Sequence, residues 1–169
     1  MTAWRRFMLA LALSVCGASA AQATETWLGW VSWVMDGDTV LLVREGQSKP
    51  VKLRIEGIDA PEICQVGGAQ ARDAMIRLAL RKHVQVQALG QDSYGRQIGR
   101  LSLDGVDLGA EMVRSGMAWA YRFRTGTGPY ASAQRLAQQQ KLGVFAQTQK
   151  PMSPSVFRNF HGPCHGAGL

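Results

Sequence analysis

Apolar and polar residues alternate cleanly from Val51 to Ile55. Val51, Leu53 and Ile55 share one side, while Lys52, Arg54 and Glu56 share the other. A period of two is the mark of a strand with one face on a core, so this strand sets Arg54 on its outer surface. Trp27, Trp30, Val31, Trp33 and Val34 form an aromatic and β-branched segment before it, which reads as a first strand with the tryptophans mostly packed inward. Asp36-Gly37-Asp38 is a turn signal, and Thr39 to Val43 reads as the second strand. Gln70 to Lys82 switches to helical spacing, with Ala71, Ala74, Met75, Leu78 and Ala79 on one side.

Alternation returns at Val84 to Ala88 and again at Ile98 to Leu103, around a loop at Gln91 to Gly95. Leu108 to Ser115 predicts a short helix and Tyr130 to Leu142 a longer one. After Gln147 the prolines and glycines predict an extended tail. Three strands, a helix, two strands and two helices make an α+β chain that is mainly β. That order suits a five-stranded OB-fold barrel with about three packed helices.

The ends change this picture. Arg5 and Arg6 precede a short apolar run, Phe7 to Cys16, and small residues follow at Ala18-Ser19-Ala20 and Ala21-Gln22-Ala23. This predicts a signal peptide over 1–23, a domain over 24–147 and a tail over 148–169, with export to the periplasm or beyond. The apolar run is too short to span a bilayer, so no stable membrane insertion is expected. Cleavage removes Cys16 and leaves two cysteines, Cys64 and Cys164. An even number in an oxidising compartment predicts that they pair.

With 169 residues, 46% hydrophobic and 18% charged, the chain is one globular domain. The expected assembly is a monomer. Its formal charge is +7, or +5 once Arg5 and Arg6 are removed. No acid follows Glu111, whereas seven basic residues do. A basic half attracts polyanions.

Three segments carry candidate chemistry. They are Asp36-Gly37-Asp38-Thr39, then Arg54 through Glu62, then Asp92-Ser93-Tyr94-Gly95-Arg96. Each joins carboxylates or arginines to turn residues at strand ends, where barrels often place function. Hydrolysis of a phosphodiester builds negative charge on phosphoryl oxygens. Carboxylates can hold a hard cation there, arginines can clamp the oxygens, and a further carboxylate can orient or deprotonate water. The segments supply all these parts. No H-E-x-x-H, G-x-S-x-G or P-loop pattern is present, and no cysteine or histidine falls in the three segments.

These segments resemble the motifs of the staphylococcal nuclease family. Val34 through Val40 is similar to its opening motif, Leu53-Arg54 through Glu62 to its central one, and Asp92 through Arg96 to its third. Glu111 through Ala118 and Lys141 through Phe145 are similar to later family segments, so the resemblance runs from Trp27 to about Gln147. It implies a calcium-dependent nuclease acting on DNA, RNA or both and leaving 3′-phosphate ends. It implies calcium ligands at Asp38, Asp59 and the carbonyl of Ala60, with Asp36 supporting them. Catalytic roles fall to Arg54, Glu62 and Arg96, and nucleotide contacts to Tyr94 and Tyr121.

The chain departs from the staphylococcal enzyme in places. Ile63 to Ala69 is short and carries no positive charge, Phe123 stands in place of a tyrosine, and the tail from Met152 has no counterpart. The alternative reading is a non-catalytic OB module that binds nucleic acid or protein. The presence of Arg54, Glu62 and Arg96 with both metal acids favours the enzyme.

Overall fold

Five strands close into a barrel because the last returns to the third. The computed structural model describes residues 25–121, 128–146, 150–162 and 164; the expected signal peptide and Phe123 lie outside these. Strands β1 (Glu25–Val34), β2 (Thr39–Arg44) and β3 (Pro50–Ile55) form an antiparallel meander. After helix α1 (Gly68–Ala79), β5 (His83–Gln91) pairs with β1, and β6 (Gln97–Leu103) pairs with β5. Strand β6 then runs parallel to β3 and closes the OB barrel. Two-residue β4 (Ile58–Asp59) pairs with two-residue β8 (Trp119–Ala120), while β7 (Val106–Asp107) only extends β6.

Val31, Val40, Leu42, Leu53, Ile55, Val84, Val86 and Leu101 fill the barrel. Ala71, Met75 and Ala79 of α1, with Leu108, Met112 and Val113 of α2 (Leu108–Arg114), cover its open side. Helix α3 (Ala131–Gln139) and a 3-10 turn at Gly143–Ala146 bury Ala137, Val144 and Phe145 as a satellite cluster beside Trp119. No described helix is long and apolar enough to cross a membrane.

Two expectations are corrected. Trp27 is buried, but Trp30 is 52% exposed and Trp33 42% exposed. Trp30 faces outward by plain alternation, opposite buried Trp27 and Val31, and a β-bulge between Val31 and Trp33 then resets the period, so Trp33 also turns outward and Val34 inward. Outside, the two tryptophans meet His83 and the guanidinium of Arg72. The tail is not simply extended. It contains α4 (Pro154–His161), whose start is capped by the Ser153 hydroxyl accepting from Val156 N–H and has Pro154 at its first position. The chain thus has four α-helices among the described residues.

Candidate active site

Barrel closure gathers the three sequence segments at one end. Thr39, at the start of β2, lies opposite Arg54, near the end of β3. The amide of Ile55 donates to the carbonyl of Asp38 at 2.8 Å. Across the parallel seam, Arg54 pairs with Ile98, two residues beyond Arg96. The β4–β8 pair sets Asp59 opposite Trp119, and the amide of Tyr121 donates to Gly57 at 2.9 Å.

Within this end, acids surround a buried arginine. Asp36 Oδ1 accepts from the Asp38 amide at 2.9 Å, which shapes the turn. Gly37 is small for a reason: a Cβ there would stand 2.6 Å from that of Ala60 and 2.9 Å from that of Ala71. Asp38 Oδ2 accepts from the Ala60 amide at 2.8 Å. Its Oδ1 accepts the Thr39 hydroxyl and pairs with Arg54 Nη1. Arg54 Nη2 donates to Asp59 Oδ1 at 2.9 Å. The sequence put Arg54 on the outer surface of its strand. It does leave the apolar interior, but these carboxylates enclose it, and its side chain is only 16% exposed.

The electrostatics follow from this crowding. Burial, reinforced by the charge of Asp38, pushes Asp36 up to about 7. Burial also raises Asp59, against the opposing pull of its arginines. Asp38 is held below the ordinary carboxylate range: burial opposes this, but Arg54 and the Ala60 amide outweigh it. Burial works against the charge on Arg54 too, and Asp38 and Asp59 overcome it, so that guanidinium stays charged.

Glu62 sits on a loop pressed against α1. A Cβ at Gly68 would fall 1.9 Å from the Glu62 carbonyl oxygen, so glycine is what permits the approach. Gln65 is buried and ties the loop to the tail. Its Oε1 accepts from the Glu62 amide at 3.2 Å, and its Nε2 donates to the Met152 carbonyl at 2.7 Å. Cys64 and Cys164 form a disulfide with a Cα separation of 5.8 Å. Helix α4 is thereby anchored over the site, and Arg158 reaches in. Its Nη1 donates to Asp59 Oδ1 at 3.1 Å and to Glu62 Oε1 at 2.8 Å, while its Nη2 donates to Asp59 Oδ2 at 3.1 Å. No sequence motif pointed to Gln65 or Arg158.

The third segment is a turn built by Asp92. Asp92 Oδ1 accepts from the amides of Tyr94 and Arg96, and Oδ2 accepts from Arg96 Nε at 2.7 Å. Burial works to raise Asp92, but these bonds and the charge of Arg96 together outweigh it and hold the carboxyl below its usual range. The Arg96 guanidinium stands 5.6 Å from the Tyr94 ring centre, and Tyr94 is 84% exposed. Asp36, Asp38, Arg54, Ala60, Glu62, Tyr94, Arg96, Tyr121 and Arg158 all line one cleft of about 1130 Å³. Asp59 lies behind its wall, 1% exposed.

Hard oxygen donors are therefore available, from Asp38 and Asp59 with backbone and solvent beside them. Among the described residues no group of three or more His, Cys, Asp and Glu side chains converges as a ready-made metal site. A hard cation would take two carboxylates and complete its shell with other oxygens, which suits calcium's roughly 6–8 oxygen ligands. It does not suit zinc, which favours nitrogen and sulfur.

Sequence comparison places this geometry among known proteins. Residues 52–147 match the family model described as staphylococcal nuclease homologue. An "uncharacterized endonuclease" of Haemophilus influenzae is 31% identical over 154 residues, covering 91% of this chain and 85% of its own. A second protein of that description, from Escherichia coli O157:H7, is 36% identical over 133 residues, with coverage of 78% and 84%. A "micrococcal nuclease" of Shigella flexneri is 32% identical over 148 residues, with coverage of 81% and 84%. With its barrel closed as an OB-fold and its three motifs gathered at one end, the chain belongs to the staphylococcal nuclease family.

Proposed function

We propose that this protein is an exported, calcium-dependent nuclease that hydrolyses phosphodiester bonds of DNA, RNA or both and leaves 3′-phosphate ends. The observation that carries the reading is Arg54 held between Asp38 and Asp59, in a cleft that Glu62 and Arg96 also line. The names of the relatives point the same way.

Asp38 and Asp59, with the carbonyl of Ala60, would hold the cation, and Asp36 would fix the turn that presents Asp38. When bound, calcium supplies a Lewis acid beside the phosphoryl oxygens. Arg54 and Arg96 bind those oxygens and meet the charge that grows on them. Glu62 takes a proton from the attacking water. The water oxygen bonds to phosphorus as the bond to the 5′-oxygen breaks, and that oxygen takes a proton from solvent and leaves as a hydroxyl. Tyr94 and Tyr121 offer ring faces to the flanking nucleotide.

Digestion of single-stranded DNA, duplex DNA and RNA by the mature protein, with calcium and with excess chelator, tests the reading. Cleavage that needs calcium and yields ends labelled by kinase only at the 5′ side is expected. Undiminished cleavage in chelator, or 5′-phosphate products, would overturn it.

A further inference from the structure

Arg158 stands where a cation is needed. Asp59 Oδ1 accepts one bond from Arg54 and one from Arg158, and Asp59 Oδ2 accepts a third from Arg158. The same guanidinium holds Glu62 Oε1. One planar fork therefore bridges the proposed metal carboxylate and the proposed base. The two arginines are not equivalent. Arg54 is fixed on a barrel strand, whereas Arg158 comes from an eight-residue helix of which only Pro154 is buried. Its side chain is 31% exposed. Three attachments keep it in place: the Cys64–Cys164 disulfide, the Gln65–Met152 bond and the ion pairs themselves.

Building on the calcium reading above, we propose that Arg158 is an intramolecular counter-cation that competes with the divalent metal for Asp59, so that α4 must withdraw from Asp59 and Glu62 before the site can load. Arg54 engages only Oδ1 of Asp59, whereas Arg158 engages both oxygens, so a dication arriving at Asp59 would meet a second guanidinium on the same carboxylate and be repelled by it. A chain that binds metal only when α4 is withdrawn has its apparent affinity reduced by the withdrawn fraction. The release also uncovers Glu62, whose Oε1 the same guanidinium occupies. The disulfide keeps the displaced arginine nearby, so the competition is intramolecular and does not fade on dilution.

Calorimetric titration of the disulfide-intact mature protein with calcium chloride alone, without substrate, measures this directly. Arg158→Gln should bind calcium about tenfold more tightly, which corresponds to a parent whose arginine is engaged about nine-tenths of the time. Arg158→Lys keeps the charge but loses the fork and should fall between the two. The Cys64→Ser/Cys164→Ser double variant should also gain affinity, through a tail that is free to leave. Asp59→Asn should abolish the titration and so locate it. Equal or weaker affinity in Arg158→Gln, with the parent binding normally, overturns the competition and leaves the calcium reading standing. Absence of calcium binding in both parent and Arg158→Gln overturns both. Unfolding midpoints in chelator check that each variant is folded.

Discussion

The barrel end and the tail each bring an arginine to Asp59, and they do so in different ways. Arg54 is placed by backbone pairing: β3 lies between β2 and β6, and the register alone sets the side chain beside Asp38. Arg158 is placed by tertiary attachment from 99 residues away, on a helix with a mostly exposed surface. The first is part of the fold's framework. The second is fastened to it afterwards. An ion pair within the framework cannot be broken without leaving a buried charge, whereas an attached one can open into water.

The sharpest break in that contrast is a stability measurement. Arg54→Met leaves Asp38 and Asp59 buried without their shared partner and should cost roughly 3–5 kcal/mol in denaturant unfolding of the metal-free protein. Arg158→Met should cost only about 1.4 kcal/mol, the free energy of a contact engaged about nine-tenths of the time. Equal losses would erase the distinction between the two regions.

Next in size is the chemistry at the barrel end. Glu62→Gln and Arg96→Lys should each lower single-turnover cleavage of an oligonucleotide by about 10²–10³, with substrate binding changed much less. Parent rates in both folded variants would show that these groups take no part in the reaction.

Cutting the attachment comes third. The Cys64→Ser/Cys164→Ser variant frees a loop of 100 residues and should lose about 2–4 kcal/mol, read from urea midpoints. An unchanged midpoint would mean that the bridge does not constrain the unfolded chain.

The smallest effect lies inside the acid cluster. Asp36 rises from 3.8 to about 7 in the folded chain. Between those values the unfolded form is ionised while the folded form keeps its proton, so stability in chelator falls as pH rises through that window. Asp36→Asn should flatten this slope and gain on the order of 1 kcal/mol at pH 8, since the carboxyl is partly open to solvent. An unaltered slope in thermal melts from pH 4 to pH 8 would refute it.

Much of the barrel was legible because its signals are local. The alternation of Val51 to Ile55, the turn at Asp36-Gly37-Asp38 and the helical spacing of Ala71, Ala74 and Met75 each depend on near neighbours. The first, second and third motifs were also readable one by one. Their convergence rests on the parallel β3–β6 seam, which no short window contains. The bulge that turned Trp33 outward breaks a period and leaves no composition signal, whereas Trp30 lies outward by plain alternation from Trp27. Helix α4 did leave a signal, in Ser153 followed by Pro154 and closed by Gly162. Its exposed Val156 and Phe160 blur the apolar stripe that normally identifies a helix, and the surrounding prolines and glycines favoured an extended reading. Arg158 had no local pattern at all, since its partners lie 96 and 99 residues away.

The bridge between Cys64 and Cys164 also gives each molecule a history. The barrel and its satellite cluster are complete in sequence by Phe145, about twenty residues before Cys164 is made. At roughly 5–20 residues per second, translation separates the two points by about one to four seconds. Oxidation then takes seconds to hours. During that interval a newly made chain holds the Glu62 loop but not its clasp. A pulse-labelled sample would contain two species of one sequence, a young dithiol form and a mature bridged form, distinguishable by their mobility on a non-reducing gel.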